Sequence, residues 1–441
     1  MKICVISGSP KGENSITYQT VLFLQKKFPK CEFETLHVGQ RIRSFEQDMS
    51  AAIETMLRAD LLLFCYPVYT FIVPAQLHRF IELMKASEAD FSEKMVAQIC
   101  TSKHFYDVTA QRFIQENCDD MGMRYLGGLS ADMDDLPKEK GQQEAISFWE
   151  LVQWRAENCI SLPRIAWETK SVPEYVRQWE QAPKKDGKEI VIVASYTEED
   201  KSLIAMIEDF QAVAPYPTKL VNLMDYPFDG GCLGCFKCAV SGKCVYKDNF
   251  DEFLRNEIQT ADATVYAFSI KDHSMGARMK LYDDRQFCNG HRTVTMGMPV
   301  GYLVYGDLAR EANLSNIIEA RADVGSNFLA GVATDAVGVE ELAQTLEYAM
   351  EHKVMLPQTF WGIGGMKIFR DLIWVMRGMM KADHKFYKQH GMYDFPQKKR
   401  PMAWAMMLVG AILSNKKLVS KMGNKMTEGM LMPYKKVLDK L

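Results

Sequence analysis

The sequence predicts an α/β protein built as two tandem, doubly wound, parallel five-stranded sheets, followed by a helical C-terminal extension. Three observations carry this reading. Short apolar runs alternate with longer helical segments, the signature of repeated βαβ units. The pattern of the first half recurs in the second, and residues 353–441 differ in composition from everything before them.

In the first half the expected strands are "KICVIS" (2–7), "EFETLHV" (32–38), "LLLFCYP" (61–67), "MVAQICT" (95–101) and "YLGGLSA" (125–131). Five strands of this kind suit a sheet of order 2-1-3-4-5. The repeat is visible by alignment. "YLGGLSAD" (125–132) matches "FLAGVATD" (328–335) at an offset of 203, and "ADLLLFCYPVYT" (59–70) matches "ADATVYAFSIKD" (261–272) at 202. The first strand, "KICVISGSP" (2–10), matches "EIVIVASYT" (189–197) at only 187. The second copy therefore gains 15 residues between its first and third strands, where "GCLGCFKCAVSGKC" (231–244) falls. "GQQEAISFWELVQWRAENC" (141–159) closes the first copy as a helix, and "SVPEYVRQWEQAPKKDGK" (171–188) reads as linker. The expected domains are 1–165, a linker at 166–188, 189–352, and the extension 353–441.

The totals set the class. With 47% hydrophobic and 25% charged residues the chain is ordinary for a soluble protein, and its net charge is −3. That average hides 17 Lys/Arg against 5 Asp/Glu in residues 353–441, which also hold 13 of the 28 methionines. Apart from the cluster at 232–244 the cysteines are scattered, so a reducing cytoplasm is the expected compartment. The N-terminus opens into a strand rather than a signal peptide. In the extension, 366–390 is a helical candidate, and "PMAWAMMLVGAIL" (401–413) is shorter than the roughly 20 apolar residues that span a bilayer.

The first strand runs into "SGSPKGENSIT" (7–17) and then a helix. A hydroxyl-rich strand-to-helix turn offers backbone N–H groups, side-chain hydroxyls and a helix N-terminus, the parts that hold a phosphate dianion. Ser9, Asn14, Ser15 and Thr17 are the candidate donors, with Pro10, Lys11 and Ile16 in the same turn. It is neither the dinucleotide fingerprint nor a Walker loop, and an ordinary capped turn has the same composition. The third strand ends in "YPVYTFIVPAQLHRFIEL" (66–83), where Pro67, Val68, Tyr69 and Thr70 follow a carboxyl end. Tyr69 and Phe71 supply flat apolar surface for an aromatic ring. Thr101 and Ser102, after the fourth strand, are a third contributor.

With both loops read, the first half resembles the NAD(P)H-dependent FMN reductase branch of the flavodoxin superfamily. The resemblance implies FMN as cofactor, with NAD(P)H as possible co-substrate. Ser9, Pro10, Asn14, Ser15 and Thr17 would then hold phosphate and ribityl, with Lys11 and Ile16 beside them, Pro67, Val68, Tyr69 and Thr70 would flank the isoalloxazine ring, and Thr101 and Ser102 would stand nearby. The sequence departs from the family pattern at Tyr66, at His78 and in "IEL" (81–83). The second copy carries "ASYTEEDKS" (194–202) in place of the phosphate loop, and three carboxylates there would repel a phosphate. One FMN per chain is the expectation.

Cys232, Cys235 and Cys238 recur every third residue, and Cys244 closes the set. This spacing suits a 4Fe–4S cubane first, zinc second, and free or redox thiols third. The stretch also resembles that of iron–sulfur flavoproteins, in which cluster and FMN of neighbouring subunits exchange electrons. An intrachain pseudo-dimer placing one cluster near one FMN is the implied arrangement. No Ser-His-Asp or paired-carboxylate constellation is evident, and His104, His273 and His291 read as structural or solvated. The expected activity is a flavin-dependent oxidoreductase, with NAD(P)H or ferredoxin as donor and a small-molecule electron acceptor. An electron-carrier flavoprotein without a substrate of its own is the competing reading. Homo-oligomerisation is expected and nucleic acid is not. The extension reads as helices packing over the flavin or between subunits, or as a peripheral membrane contact, with Lys416, Lys417 and Lys421 beside the apolar stretch.

Overall fold

The computed structural model describes residues 1–92, 94–165, 171–413, 431, 432, 434, 435 and 437–440. Lys416, Lys417 and Lys421 lie outside the described residues, as do 166–170 of the linker. The chain divides into two compact units, Met1–Phe386 and Tyr387–Leu441.

The first unit is built on ten strands: β1 (Lys2–Ser7), β2 (Glu32–Leu36), β3 (Leu61–Pro67), β4 (Met95–Ser102), β5 (Arg124–Asp132), β6 (Ile190–Ser195), β7 (Thr218–Asn222), β8 (Ala263–Ser269), β9 (Pro299–Tyr305) and β10 (Phe328–Ala333). They form two all-parallel sheets, β2-β1-β3-β4-β5 and β7-β6-β8-β9-β10, the same order twice. Runs such as "LLLFCY" are buried on both faces, as a parallel strand sandwiched between helices must be. The residues 37–38 read as the end of β2 start a helix instead, Val38–Gln47. The extra residues of the second copy lie between β7 and β8, where the first copy has the helices Val38–Gln47 and Ser50–Arg58.

Residues 171–188 lie without helix or strand along the second sheet's domain. The fully buried carboxylate of Asp209 straps them down, accepting from Tyr175 Oη (2.8 Å), Gln178 N (2.8 Å) and Trp179 N (3.0 Å).

The two sheets are joined through the helices Ala75–Ala86 and Gly276–Arg285, which occupy equivalent positions in the two copies. One apolar cluster runs through the joint, with Phe80, Phe113 and Ile114 of the first copy and Met279, Ile317 and Ile318 of the second. Each side chain of this size contributes about 1.5–3 kcal/mol when fully buried. The polar contacts are reciprocal. Ala277 N donates to Glu82 Oε1 (2.8 Å) and Ala75 N donates to Asp284 Oδ2 (2.8 Å). At the offset of 202, Ala75 and Ala277 are equivalent, and so are Glu82 and Asp284. Each helix is thus capped by a carboxylate from the other, as an isologous two-fold contact requires.

The symmetry is broken where charges differ. Lys280, fully buried, pairs with Asp284 and donates to Tyr69 O at 2.8 Å; its equivalent is His78, whose buried ring is pushed down to about 4 by desolvation. His78, Glu82 and Asp272 lie close enough to chelate a cation. Arg79, Lys271 and Lys85 already pair with these carboxylates, so the group is an ion-pair network of the joint.

Removing the Asp284 carboxylate leaves Lys280 buried and unpaired, whereas Arg79 and Lys271 around Glu82 still reach solvent. Asp284→Ala is expected to cost about 3–5 kcal/mol, and Glu82→Ala about 1–2 kcal/mol as a lost cap. Urea unfolding midpoints of the two variants, compared with the parent, check the order.

Candidate functional site

The loop after β1 turns through a short 3-10 segment, Gly12–Asn14, into the helix Ile16–Lys27. Gly12 has φ +53°, a left-handed conformation that glycine adopts without a Cβ penalty. Ser15 stands at the N-cap position, and no side chain caps the helix N-terminus. The first-turn N–H groups are therefore left to whatever anion the turn receives. Ser9, Ser15 and Thr17 are buried, and their side chains line a cavity at the carboxyl ends of β1, β3 and β4. In its wall Thr101 Oγ1 and Ser102 Oγ are buried without a hydrogen-bond partner among the described residues. Leaving such a hydroxyl unpartnered costs about 1–3 kcal/mol, so the two together fit a polar ligand at this edge.

The loop after β3 is held in a strained turn. Thr70 and Phe71 have φ of 40° and 76°, and a bridge joins Tyr69 to Ile72. Non-glycine residues in this region cost on the order of 1–3 kcal/mol each. The second copy supplies part of the restraint: Thr70 Oγ1 donates to Asp284 Oδ1 (2.7 Å), and Lys280 holds Tyr69 O. Within the first copy, Thr109 Oγ1 donates to Phe71 O (2.6 Å). Phe71 does not offer its face to this cavity. It is buried against Phe105 and Tyr106 and turns toward a neighbouring cavity beside Arg321. Tyr69 is the aromatic that lines the first cavity.

Eleven of the thirteen residues read as flavin contacts line this cavity: Ser9, Lys11, Ser15, Ile16, Thr17, Pro67, Val68, Tyr69, Thr70, Thr101 and Ser102. Pro10 and Asn14 do not, and Asn14 is exposed on the outer side of the turn. Cys232, Cys235, Cys238 and Cys244 line the same cavity from the second copy.

The cysteine loop reaches it by packing on the first copy. Gly234 has φ +59°, and a Cβ there would stand 2.1 Å from Tyr69 Oη, so only glycine permits the approach. Gln76 Nε2 donates to Cys232 O (3.3 Å). Arg285, buried, braces the loop by donating to Gly230 O (2.8 Å) and to both Asp248 oxygens (2.8 and 2.7 Å). Its Nη2, which also bonds Asp248, stands 3.8 Å from Cys244 Sγ, and its guanidinium lies over the Tyr246 ring. Desolvation pushes the Cys232 thiol up to about 12 and Cys238 up to about 11, with neighbouring thiols adding to the rise. A bound cation reverses this preference and draws out the thiolates.

Further lining residues carried no motif. Cys288, buried and pushed up to about 12 by desolvation, is a fifth thiol on the cavity wall. His291 lines it while pairing with Asp383 (3.0 Å), and Ile368, Phe369 and Leu372 of the helix Phe360–Val375 close one side. His104 pairs with Asp107, and His273 bridges Asp120 and Glu311 in the joint.

The equivalent place in the second copy has a different lining. Asp200 turns its own carboxylate back to accept from Thr197 N (2.8 Å) and Ser269 Oγ (3.3 Å). Its strained turn survives at Asp272 and His273, φ 53° and 58°, but charged groups including Glu46, Glu82, Arg79 and Arg278 line the cleft.

A 2-1-3-4-5 parallel sheet with a hydroxyl-rich strand-to-helix turn and a walled cleft at its carboxyl edge defines a flavodoxin-like domain. More narrowly, residues 1–128 match the family model of NADPH-dependent FMN reductases. Among solved structures the chain is similar to an FMN-dependent NADH-azoreductase from Bacillus anthracis in complex with FMN, at 12% identity, covering 36% of this chain and 99% of that one, with a TM-score of 0.28. It is also similar to an NAD(P)H:quinone oxidoreductase from Methanothermobacter marburgensis (12% identity, 37% and 98% covered, TM-score 0.27). A third is a flavoenzyme NAD(P)H:(acceptor) oxidoreductase from Paracoccus denitrificans (16% identity, 35% and 97% covered, TM-score 0.28). No curated protein matches the sequence.

In chain freed of any bound metal or flavin, iodoacetamide at pH 8 is expected to label exposed Cys235 well before Cys232. Labelling of Cys232 should climb as pH rises toward 12, because only the thiolate reacts. Peptide mass spectrometry over a pH series reads both.

Proposed function

We propose that the chain is an FMN-dependent oxidoreductase of the NAD(P)H-dependent FMN reductase type, with one flavin held by the first domain and a 4Fe–4S cluster held by Cys232, Cys235, Cys238 and Cys244 of the second. Electrons enter from NAD(P)H or ferredoxin and leave to a small-molecule acceptor. One observation carries this reading: the flavin loops of one copy and the four cysteines of the other line a single cavity.

FMN bound there would supply exchange between hydride and single-electron chemistry, and the cluster one-electron transfer. The chain's own contribution is positioning and dielectric. Ser9, Ser15, Thr17 and the helix N-terminus bind the phosphate, while Thr101 and Ser102 offer hydroxyls near it. Pro67–Thr70 form a rigid wall, since Lys280 and Asp284 fix the turn from outside. Phe236, Ile368, Phe369 and Leu372 keep the cavity largely apolar and restrict water. Arg285 places a positive charge beside Cys244, which favours a cluster carrying net negative charge.

Anaerobic purification followed by flavin and iron counting tests the proposal. The expected result is one FMN and about four irons per chain. Two flavins per chain would contradict the single site, and FMN without iron would leave a flavin reductase with a zinc-bound or empty cysteine loop. Ser15→Asp sets a carboxylate in the anion turn. At about 4 Å and an effective dielectric of about 20, the repulsion is about 4 kcal/mol per charge pair, so FMN affinity should fall about a thousandfold. Iron content should stay unchanged, because Ser15 lies in the other copy.

A further inference from the structure

We propose that the helix Arg400–Leu413 inserts into one leaflet of a bilayer bearing anionic lipids, and so anchors the protein to a membrane surface. The helix has 14 residues and no charged side chain after Arg400. Every residue from Pro401 to Ala411 is exposed, with Met402, Trp404, Met406, Met407 and Leu408 between 54% and 69%.

A helix that is apolar all round is stable only when covered on every side. At about 100° per residue, Trp404 and Leu408 lie on one side of this helix. Met402, Met406 and Val409 lie on the opposite side, with Met407 between. A protein groove, including one on a second copy of the chain, covers a single stripe and leaves the rest in water. Hydrocarbon covers all sides at once. The length excludes a full crossing: the helix is roughly 21 Å long at about 1.5 Å per residue, against roughly 30 Å of hydrocarbon. No described helix is long and apolar enough to cross a membrane. A segment of this size that is not core belongs at an interface or dips into it.

Charge fixes the kind of surface. Lys398, Lys399 and Arg400 stand exposed at the helix N-terminus, Lys398 also donating to Tyr393 O at 2.6 Å. A basic cluster at the mouth of an apolar segment meets the headgroups when the segment is inserted, and each such cation adds about 1 kcal/mol on an anionic leaflet.

The test uses the purified full chain with vesicles of phosphatidylcholine alone or mixed with phosphatidylglycerol. The chain should sediment with the mixed vesicles, and Lys399→Gln and Arg400→Gln should each weaken binding about fivefold at low salt. Brominated acyl chains should quench a component of tryptophan emission that Trp404→Phe lacks. Leu408→Asp should abolish binding while leaving the circular dichroism of the chain unchanged, because the side chain touches no core. Two results would overturn the proposal. One is failure to sediment with either vesicle. The other is quenching identical in parent and Trp404→Phe, together with a dimer that Leu408→Asp converts to monomers, which would assign the helix to a second copy.

Discussion

Everything at the cavity depends on one buried ion pair. Asp284 accepts from Ala75 N, Thr70 Oγ1 and Lys280, and Lys280 reaches on to Tyr69 O. Through these bonds a helix of the second copy caps a helix of the first and grips the turn that walls the cavity. Desolvating both charges is expensive, and the pair is tolerable because both Asp284 oxygens accept hydrogen bonds and Lys280 donates a second one to Tyr69 O. A hydrophobic joint of the same size could hold the halves together, but it would not dictate where Tyr69 and Thr70 stand.

The same joint explains the division of labour between the copies. Both retain the strained turn after the third strand, at Thr70 and Phe71 and again at Asp272 and His273. The backbone of that turn is therefore present twice, while its surroundings differ. In the second copy Asp200 folds its carboxylate onto Thr197 N and Ser269 Oγ. The 231–244 loop then uses the pseudo-two-fold arrangement to reach across, seated on Tyr69 by a glycine that leaves no room for a side chain.

Much of this was legible in the sequence, and the reason is periodicity. Buried parallel strands are near-continuous apolar runs, so β1, β3 and β4 stood out within a residue of their observed bounds. The repeat gave the sheet order twice and located the cysteine insertion between the first and third strands of the second copy, and the structure narrows it to the segment between β7 and β8. Side-chain direction was less accessible. Phe71 has the composition of a stacking surface, yet its positive φ turns it to the neighbouring cavity. Cys288, His291 and Phe369 were missed because lining a cavity from distant segments leaves no local spacing to read. Composition likewise marked the extension as one material from residue 353, whereas the compact unit carries Phe360–Val375 with it and ends at Phe386.

Covalent fusion of the copies has a consequence for assembly. Two separate subunits sharing an interface fall apart on dilution, and identical subunits must change both sites together whenever one mutates. Joined in one chain, each half meets the other at an effective concentration set by the tether rather than by expression level, commonly millimolar for short linkers. The strap on Asp209 shortens that tether further. Such a chain keeps its joint at any dilution, and its two halves are free to drift apart chemically while remaining locked geometrically.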